Sequence, residues 1–340
     1  MKIALYNGHG GLDLQTIPAP KLVTGGALAR IRACGIAISD LRAYTERLAP
    51  RFDHKLSGEI VQVSPKTSGI EVGTRIYIRG YYNCAECSAC RRGFPSLCRK
   101  RTSLYDNNQA FSEYVLLPPK FLQTGGATMV GKNVSFEDTT HVGPLSNCLN
   151  TLRAVDFVPG DRTVILGAGP MGLLHLLLLK AAGATMVIVL DVDDYRLKKA
   201  LELGAHHTVN SGRTDAIAEV QRLTDGGSDI VIVATGRADA MLSSIKMVRS
   251  RGRIDLFGGT DLEPGDTAFN LDPKPVHYNE LRIIGTYGSL LNDYKKAAEL
   301  ITSKKISPSC LDTHYFDIDH LQDAISAAKD PKALRVVIRL

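Results

Sequence analysis

Apolar and polar positions change their period along this 340-residue chain, and the change divides it. Up to about residue 145 the apolar residues come in short runs that predict strands at Lys2–Tyr6, Ala27–Ala33, Ser57–Val63, Arg75–Ile78 and Phe111–Leu116. In the second run Ala27, Ala29, Ile31 and Ala33 alternate with Leu28, Arg30 and Arg32, so one face should be wet. Pro18, Pro20, Gly25, Gly26, Pro65 and Gly73 punctuate the strands. From about Asn147 strands alternate with helices instead. Thr163–Leu166, Met186–Leu190, His207–Val209, Asp229–Ala234, Gly252–Phe257 and Arg282–Gly285 predict six parallel strands. Between them lie helices Asp194–Leu203, stopped by Gly204, Thr214–Leu223 and Ala238–Val248, the doubly wound pattern. After Leu290 a helix, Asp293–Ser303, and a strand–helix–strand end, Thr313–Phe316, Ile318–Ala328 and Arg335–Ile338, should return to the first part. The expected organisation is a β-rich domain over 1–146, a six-stranded α/β domain over 147–286, and a return to the first domain over 287–340.

The strand at Thr163–Leu166 runs into Gly167-Ala168-Gly169-Pro170-Met171-Gly172 and then into an apolar helical stretch. This is the order of a dinucleotide-binding unit. Gly167 permits the tight turn, Gly169 lets backbone approach a pyrophosphate, and Gly172 lets helix and strand pack closely. Pro170 and Met171 open the helix, whose N-terminus offers free amides to the phosphates. Asp191 ends the next strand, nineteen residues past Gly172, where a carboxylate accepts hydrogen bonds from ribose hydroxyls and repels a 2′-phosphate. NAD is therefore expected as cofactor, ahead of NADP.

Seven cysteines lie in the chain, and four have the spacing Cys84-x2-Cys87-x2-Cys90-x7-Cys98. Four thiolates from one short lobe surround a zinc ion tetrahedrally and fill every coordination position, which makes the ion structural. Cys34, Cys148 and Cys310 are expected as small buried hydrophobes. His175, inside the apolar helix, is expected as a packing residue with its hydrogen bonds satisfied, and His206 and His207 as loop and strand-start residues.

Charge changes the picture little. A net charge of +6 arises from 41 basic and 35 acidic residues spread along the chain, with the densest basic patch, Arg91, Arg92, Arg99, Lys100 and Arg101, bracketing the cysteines. Nucleic-acid binding is not expected. The most membrane-like run, Met171 to Leu190, contains Lys180 and Gly183 and reads as buried helix plus buried strand, so no membrane span is expected. The N-terminus lacks the regions of a signal peptide, because Asn7, Gly8, His9, Gly10 and Gly11 interrupt it, and a cytoplasmic location follows as an expectation.

The cysteine lobe, the GAGPMG turn and the order of the two parts resemble the medium-chain dehydrogenase/reductase family, in its zinc alcohol and polyol dehydrogenase branch. ACGIAISDLRAY, SGEIVQV, GPLSNCLNTL, VIVATG, GRIDLFGG and RIIGTYG have counterparts there, and GPLSNCLNTL and DVDDYRL are most similar to threonine and sorbitol-type dehydrogenases. The resemblance implies a GroES-like catalytic domain, a Rossmann domain, and a homodimer or homotetramer acting on a small-molecule substrate. It also implies that Thr235 and Gly258 line the cofactor cleft, with Arg196 beside the adenine.

The family's catalytic-zinc ligands are substituted. Its cysteine position is Ala37, its Gly-His-Glu run is Asp53-His54-Lys55, and its acid before Pro-Leu is Gly143, so only His54 is kept. One imidazole does not hold a catalytic zinc, which needs three protein ligands and an open position. The expectation is one structural zinc per chain and no catalytic zinc. Lys55 then supplies the positive charge that balances an alkoxide, Ser39 matches the proton-relay hydroxyl, and Asp40 the carboxylate that orients His54. Arg42 stands at the outer relay position, and Tyr44 and Arg47 are weaker candidates for the substrate wall. The expected activity is NAD-dependent hydride transfer with a secondary alcohol or ketone (a polyol, sugar, cyclitol or amino-alcohol). The alternatives are a zinc-independent reductase of double bonds or iminium ions, and a non-catalytic nucleotide-binding protein.

Overall fold

The two periodicities build two units, Met1–Ser146 with Ser289–Leu340, and the intervening Asn147–Gly288. The structure, a computed structural model, describes residues 1–6, 12–37, 40–41, 55–104, 109–259 and 270–340. Strands in the first unit are β1 (Lys2–Tyr6), β2 (Leu12–Thr16), β3 (Ala27–Ile36), β4 (Lys55–Val63), β5 (Arg75–Ile78), β6 (Tyr81–Tyr82), β7 (Thr102–Ser103), β8 (Gln109–Ser112), β9 (Tyr114–Leu117) and β10 (Ala127–Met129). The second unit contributes β11 (Arg162–Leu166), β12 (Met186–Asp191), β13 (His207–Asn210), β14 (Ser228–Val233), β15 (Val248–Leu256) and β16 (Arg282–Gly285). The chain then returns with β17 (His314–Asp317) and β18 (Val336–Arg339).

The main sheet of the first unit has the order β10-β5-β4-β3-β18-β17, with β9 also on β3, and a smaller sheet has the order β2-β1-β8. The expected strand at Phe111–Leu116 is in fact two, because β8 pairs with β1 while β9 leaves it to pair with β3. The expected wet face of Ala27–Ala33 also needs correction. Strand β3 lies between β4 and β9 at that end, and Leu28 is only 4% exposed; Arg30 alone reaches water freely. Strand β2 escaped the periodicity reading because its residues are mostly exposed and its apolar alternation extends only over Leu12 and Leu14. Cys34, Ile36, Leu56, Ile76, Ile78, Val336 and Ile338 fill one side of the main sheet as part of one apolar core.

In the second unit six parallel strands run β13-β12-β11-β14-β15-β16, the doubly wound order. Central strands bury both faces, so Val164, Ile188 and Val231 are fully enclosed and sit side by side in register. The helix expected over Ala238–Val248 stops at Ser244, since Val248 already starts β15. Among the described residues no helix is long and apolar enough to cross a membrane.

Candidate functional site

The cysteine lobe begins just past β6, where a short helix, Ser88–Arg91, and a single turn, Pro95–Leu97, fold the chain back on itself. The four sulfurs approach one another at 3.5 Å (Cys87–Cys90), 3.5 Å (Cys84–Cys98), 3.8 Å (Cys87–Cys98) and 3.9 Å (Cys84–Cys90). A tetrahedron of sulfurs about 2.3 Å from a zinc ion has edges of about 3.8 Å, whereas a disulfide needs about 2.05 Å. The donor set therefore fits zinc. The Cys87 amide donates to Cys84 Sγ, the Cys84 amide to Cys98 Sγ, and Asn83 Nδ2 to Cys90 Sγ, the donors that thiolate ligands need around them. Backbone amides of Glu86 and Cys87 draw the Cys84 thiol down to about 6. Among the described residues no other group of three or more His, Cys, Asp or Glu converges in this way.

The glycine turn follows β11 and caps the helix Pro170–Ala181. Gly167 has φ +105°, which side chains rarely tolerate, and a Cβ on Gly172 would lie 1.8 Å from the Gly167 carbonyl oxygen. A Cβ on Gly169 would meet nothing within 4 Å, so that backbone faces open space in front of the helix N-terminus. Pro170 and Met171 form the first turn behind it. Asp191 braces the same turn: Oδ2 accepts from the Ala168 amide at 2.7 Å, and Oδ1 from the Val192 and Asp193 amides at 2.8 and 3.0 Å. Its carboxylate thus fixes the loop and has lone-pair capacity left for a ribose hydroxyl. Thr235 and Gly258 come to the same strand ends. Gly167 faces the Ala234 carbonyl and Thr235, the Gly258 amide donates to the Val233 carbonyl, and a Cβ on Gly258 would strike the Thr235 carbonyl. Arg196, half-buried on the helix Asp194–Glu202, lies one turn beyond Asp191. Gly167, Gly172, Asp191, Thr235 and Gly258 thus come together at the carboxyl ends of the parallel strands, where open doubly wound sheets bind ligands.

His175 differs from expectation in that only half its hydrogen-bonding capacity is used. Nδ1 donates to the Met171 carbonyl at 2.8 Å, the ring stands edge-on to Phe257, and Nε2 has no partner among the described residues. Burial pulls its basicity down to about 4, so it stays neutral. Cys34 and Cys148 are buried as expected, but Cys310 is exposed, because it lies on the outer side of the turn Pro308–Leu311 while Pro308 and Leu311 face inward.

Gly35, Lys55, Ser57 and Tyr77 share the sheet face opposite the core of the first unit. Gly35 on β3 pairs with Lys55 on β4, and Ser57 pairs with Tyr77 on β5. Asp40, 2% exposed, accepts the Ala37 amide at 2.7 Å. The charges of Asp40 and Lys55 both reach Cys34, in opposite senses, and burial holds that thiol well above its usual range, so it stays protonated. Ser39, His54, Arg42, Tyr44 and Arg47 lie outside the described residues.

Behind this face sits a network that no sequence motif announced. Arg335 is buried, with Nη2 donating to Thr140 Oγ1 and its carbonyl and Nη1 to His141 Nδ1. A donor on Nδ1 leaves the proton of a neutral imidazole on Nε2, which meets Asp312 Oδ1 at 2.9 Å. Burial and the Arg335 charge hold His141 well below its usual range. The guanidinium occupies the space beside Gly35, where any Cβ would lie 2.0 Å from Nη2.

Residues 24–124 match the alcohol dehydrogenase GroES-like domain family, and residues 170–303 match the zinc-binding dehydrogenase family. The L-threonine 3-dehydrogenase of Pyrococcus horikoshii is 30% identical over 97% of this chain and 95% of its own. The chain belongs to the zinc-type medium-chain alcohol dehydrogenase family. The sorbitol dehydrogenase of Bacillus subtilis is 27% identical over 96% of this chain and 93% of its own. An alcohol dehydrogenase of Escherichia coli CFT073, solved with NADH, superposes with a TM-score of 0.89 at 25% identity, covering 100% and 99% of the two chains. This family member is thus an oxidoreductase with the GroES-like and Rossmann halves of its relatives. The resemblance assigns a second metal site to positions 37, 54, 55 and 143. Ala37 offers no donor, Lys55 is a cation, and a Cβ on Gly143 would lie 2.0 Å from Tyr77 Oη, so the space of an acidic side chain is already filled by a tyrosine. These three positions do not fit a catalytic zinc.

Proposed function

We propose that this dehydrogenase transfers hydride between NAD and a secondary alcohol or its ketone without a catalytic zinc, with Lys55 balancing charge on the substrate oxygen. The observation that carries the reading is the filled space beside Gly143: where an acidic side chain would help hold a metal, Tyr77 Oη already stands. Oxidation of an alcohol leaves negative charge on oxygen as hydride departs, and a cation placed there lowers the barrier by stabilising that charge. Lys55, partly exposed, begins β4 on the sheet face opposite the core and supplies such a charge. NAD, when bound, accepts or returns the hydride. Asp191 supports NAD over NADP, since its carboxylate, already fixed by three amides, repels a 2′-phosphate. The working form in this reading is a homodimer or homotetramer.

Two measurements test it. Metal analysis of the purified protein is expected to give one zinc per chain, and two would sink the zinc-free mechanism. Lys55→Met is expected to lower kcat on the order of 100-fold or more while the NADH dissociation constant stays within about threefold. Unchanged turnover would remove the role of Lys55.

A further inference from the structure

The zinc-free reading leaves one buried cation unexplained. Along β5 and just beyond it, Ile76 and Ile78 enter the core while Tyr77 and Arg79 point to the opposite face. Arg79 is 2% exposed, yet its Nη2 reaches only the Thr124 carbonyl at 3.3 Å, and Nε has no partner among the described residues. No carboxylate within ion-pairing distance is described for it. Its guanidinium lies 5.2 Å from the centre of the Tyr294 ring and 5.7 Å from that of Tyr81, and Tyr294 in turn stacks on Tyr77 at 6.0 Å. A charge withdrawn from water without a counter-charge is strongly disfavoured unless something else supplies one.

What surrounds Arg79 favours an anion. Leu56 pairs with Ile78, and the register carried one residue further sets Lys55 opposite Arg79. On the same face Ser57 is fully buried and its hydroxyl also lacks a partner among the described residues. Two enclosed donor atoms without acceptors among the described residues, Arg79 Nε and Ser57 Oγ, therefore lie on one face, beside the lysine assigned to the reacting oxygen.

We propose that Arg79, with Ser57 beside it, is an anion-recognition subsite, and that the substrate is an alcohol bearing a carboxylate or phosphate close to its carbinol carbon. The proposal rests on the dehydrogenase reading for its substrate but not for its binding test. Cross-strand neighbours are only about 5 Å apart at Cα, so an acid group on Arg79 and a carbinol oxygen at Lys55 belong to one short molecule such as a hydroxy acid or a sugar phosphate.

The test uses the zinc-replete full chain saturated with NADH, which blocks anion binding at the glycine turn. Thermal midpoints are measured with inorganic phosphate and with acetate, each against potassium chloride at equal ionic strength. Saturable protection by at least one of them, lost in Arg79→Met, is expected, and the protecting anion tells phosphate from carboxylate substrates. Without added anion Arg79→Met should melt no lower than the wild type, since it removes an unpaired buried charge. Absent protection, protection equal in both proteins, or a clearly lower midpoint for the variant overturns the proposal, the last because it makes Arg79 a structural brace. In turnover, the preference for 3-hydroxybutyrate over its methyl ester, or for glycerol 3-phosphate over glycerol, should fall by on the order of 10- to 150-fold in Arg79→Met. Two zinc ions per chain, or normal turnover in Lys55→Met, would defeat the zinc-free mechanism while leaving the anion result standing.

Discussion

Asp312 gives the sharpest test of the buried network, through the replacement Asp312→Asn. Its carboxyl is raised to about 7, chiefly by burial, with Asp138 adding to the effect and Arg335 and Arg339 opposing it. In the unfolded chain an aspartate titrates near 4. A raised value means that the folded state holds the proton more tightly, so the group's contribution to stability is complete below about pH 4 and is lost as pH rises through about 7. The full loss is the difference of about three pH units, or ~4 kcal/mol, of which roughly 3 kcal/mol falls between pH 5 and pH 8. Asparagine keeps an oxygen for the His141 Nε2 proton and does not titrate. The stability of the wild type relative to Asp312→Asn should therefore fall by roughly 3 kcal/mol from pH 5 to pH 8. Native-state hydrogen exchange of the Val336, Val337 and Ile338 amides measures this, because they lie in β18, in the same unit as Asp312. Zinc binding and His141 affect both proteins and cancel in the difference. A difference that is equal at the two pH values would refute the reasoning.

Two other substitutions follow from the geometry. Gly172→Ala places a methyl 1.8 Å from the Gly167 carbonyl oxygen and must shift backbone, so NADH affinity measured by fluorescence titration should fall at least tenfold, and the second unit should lose about 1–3 kcal/mol. Cys98→Ser replaces one of four sulfurs that stand at zinc-ligand spacing, so metal analysis should find the bound zinc lost and proteolysis should begin within residues 84–98.

Strand and helix order was readable because parallel strands buried on both faces leave continuous apolar runs, as at Val187–Leu190 and Ile230–Val233. The cysteine lobe was readable because its ligands are close in sequence, and the glycine turn because its steric demands are local. The Arg335–His141–Asp312 network was not, since His141 lies 171 positions from Asp312 and 194 from Arg335 and no local spacing records their meeting. Tyr77 and Arg79 left a weaker trace. In Arg75-Ile76-Tyr77-Ile78-Arg79 polar and apolar residues alternate, which marks a face, but the proximity of Tyr77 to Gly143 depends on tertiary packing. Cys310 was misplaced because a small thiol suits either side of a turn, and composition alone does not choose between them.

Strand β18 lies between β3 and β17, and the chain reaches it only after the whole of Asn147–Gly288. On the ribosome, then, the parallel sheet emerges uninterrupted and is free to close first, while the Ala33–Ile36 end of β3 must wait with one side open and Gly35 without its guanidinium. Stalled nascent chains ending near residue 330 should accordingly protect β11–β16 from protease and leave β3 cleavable; equal protection of both would show that the first sheet closes without its late strand.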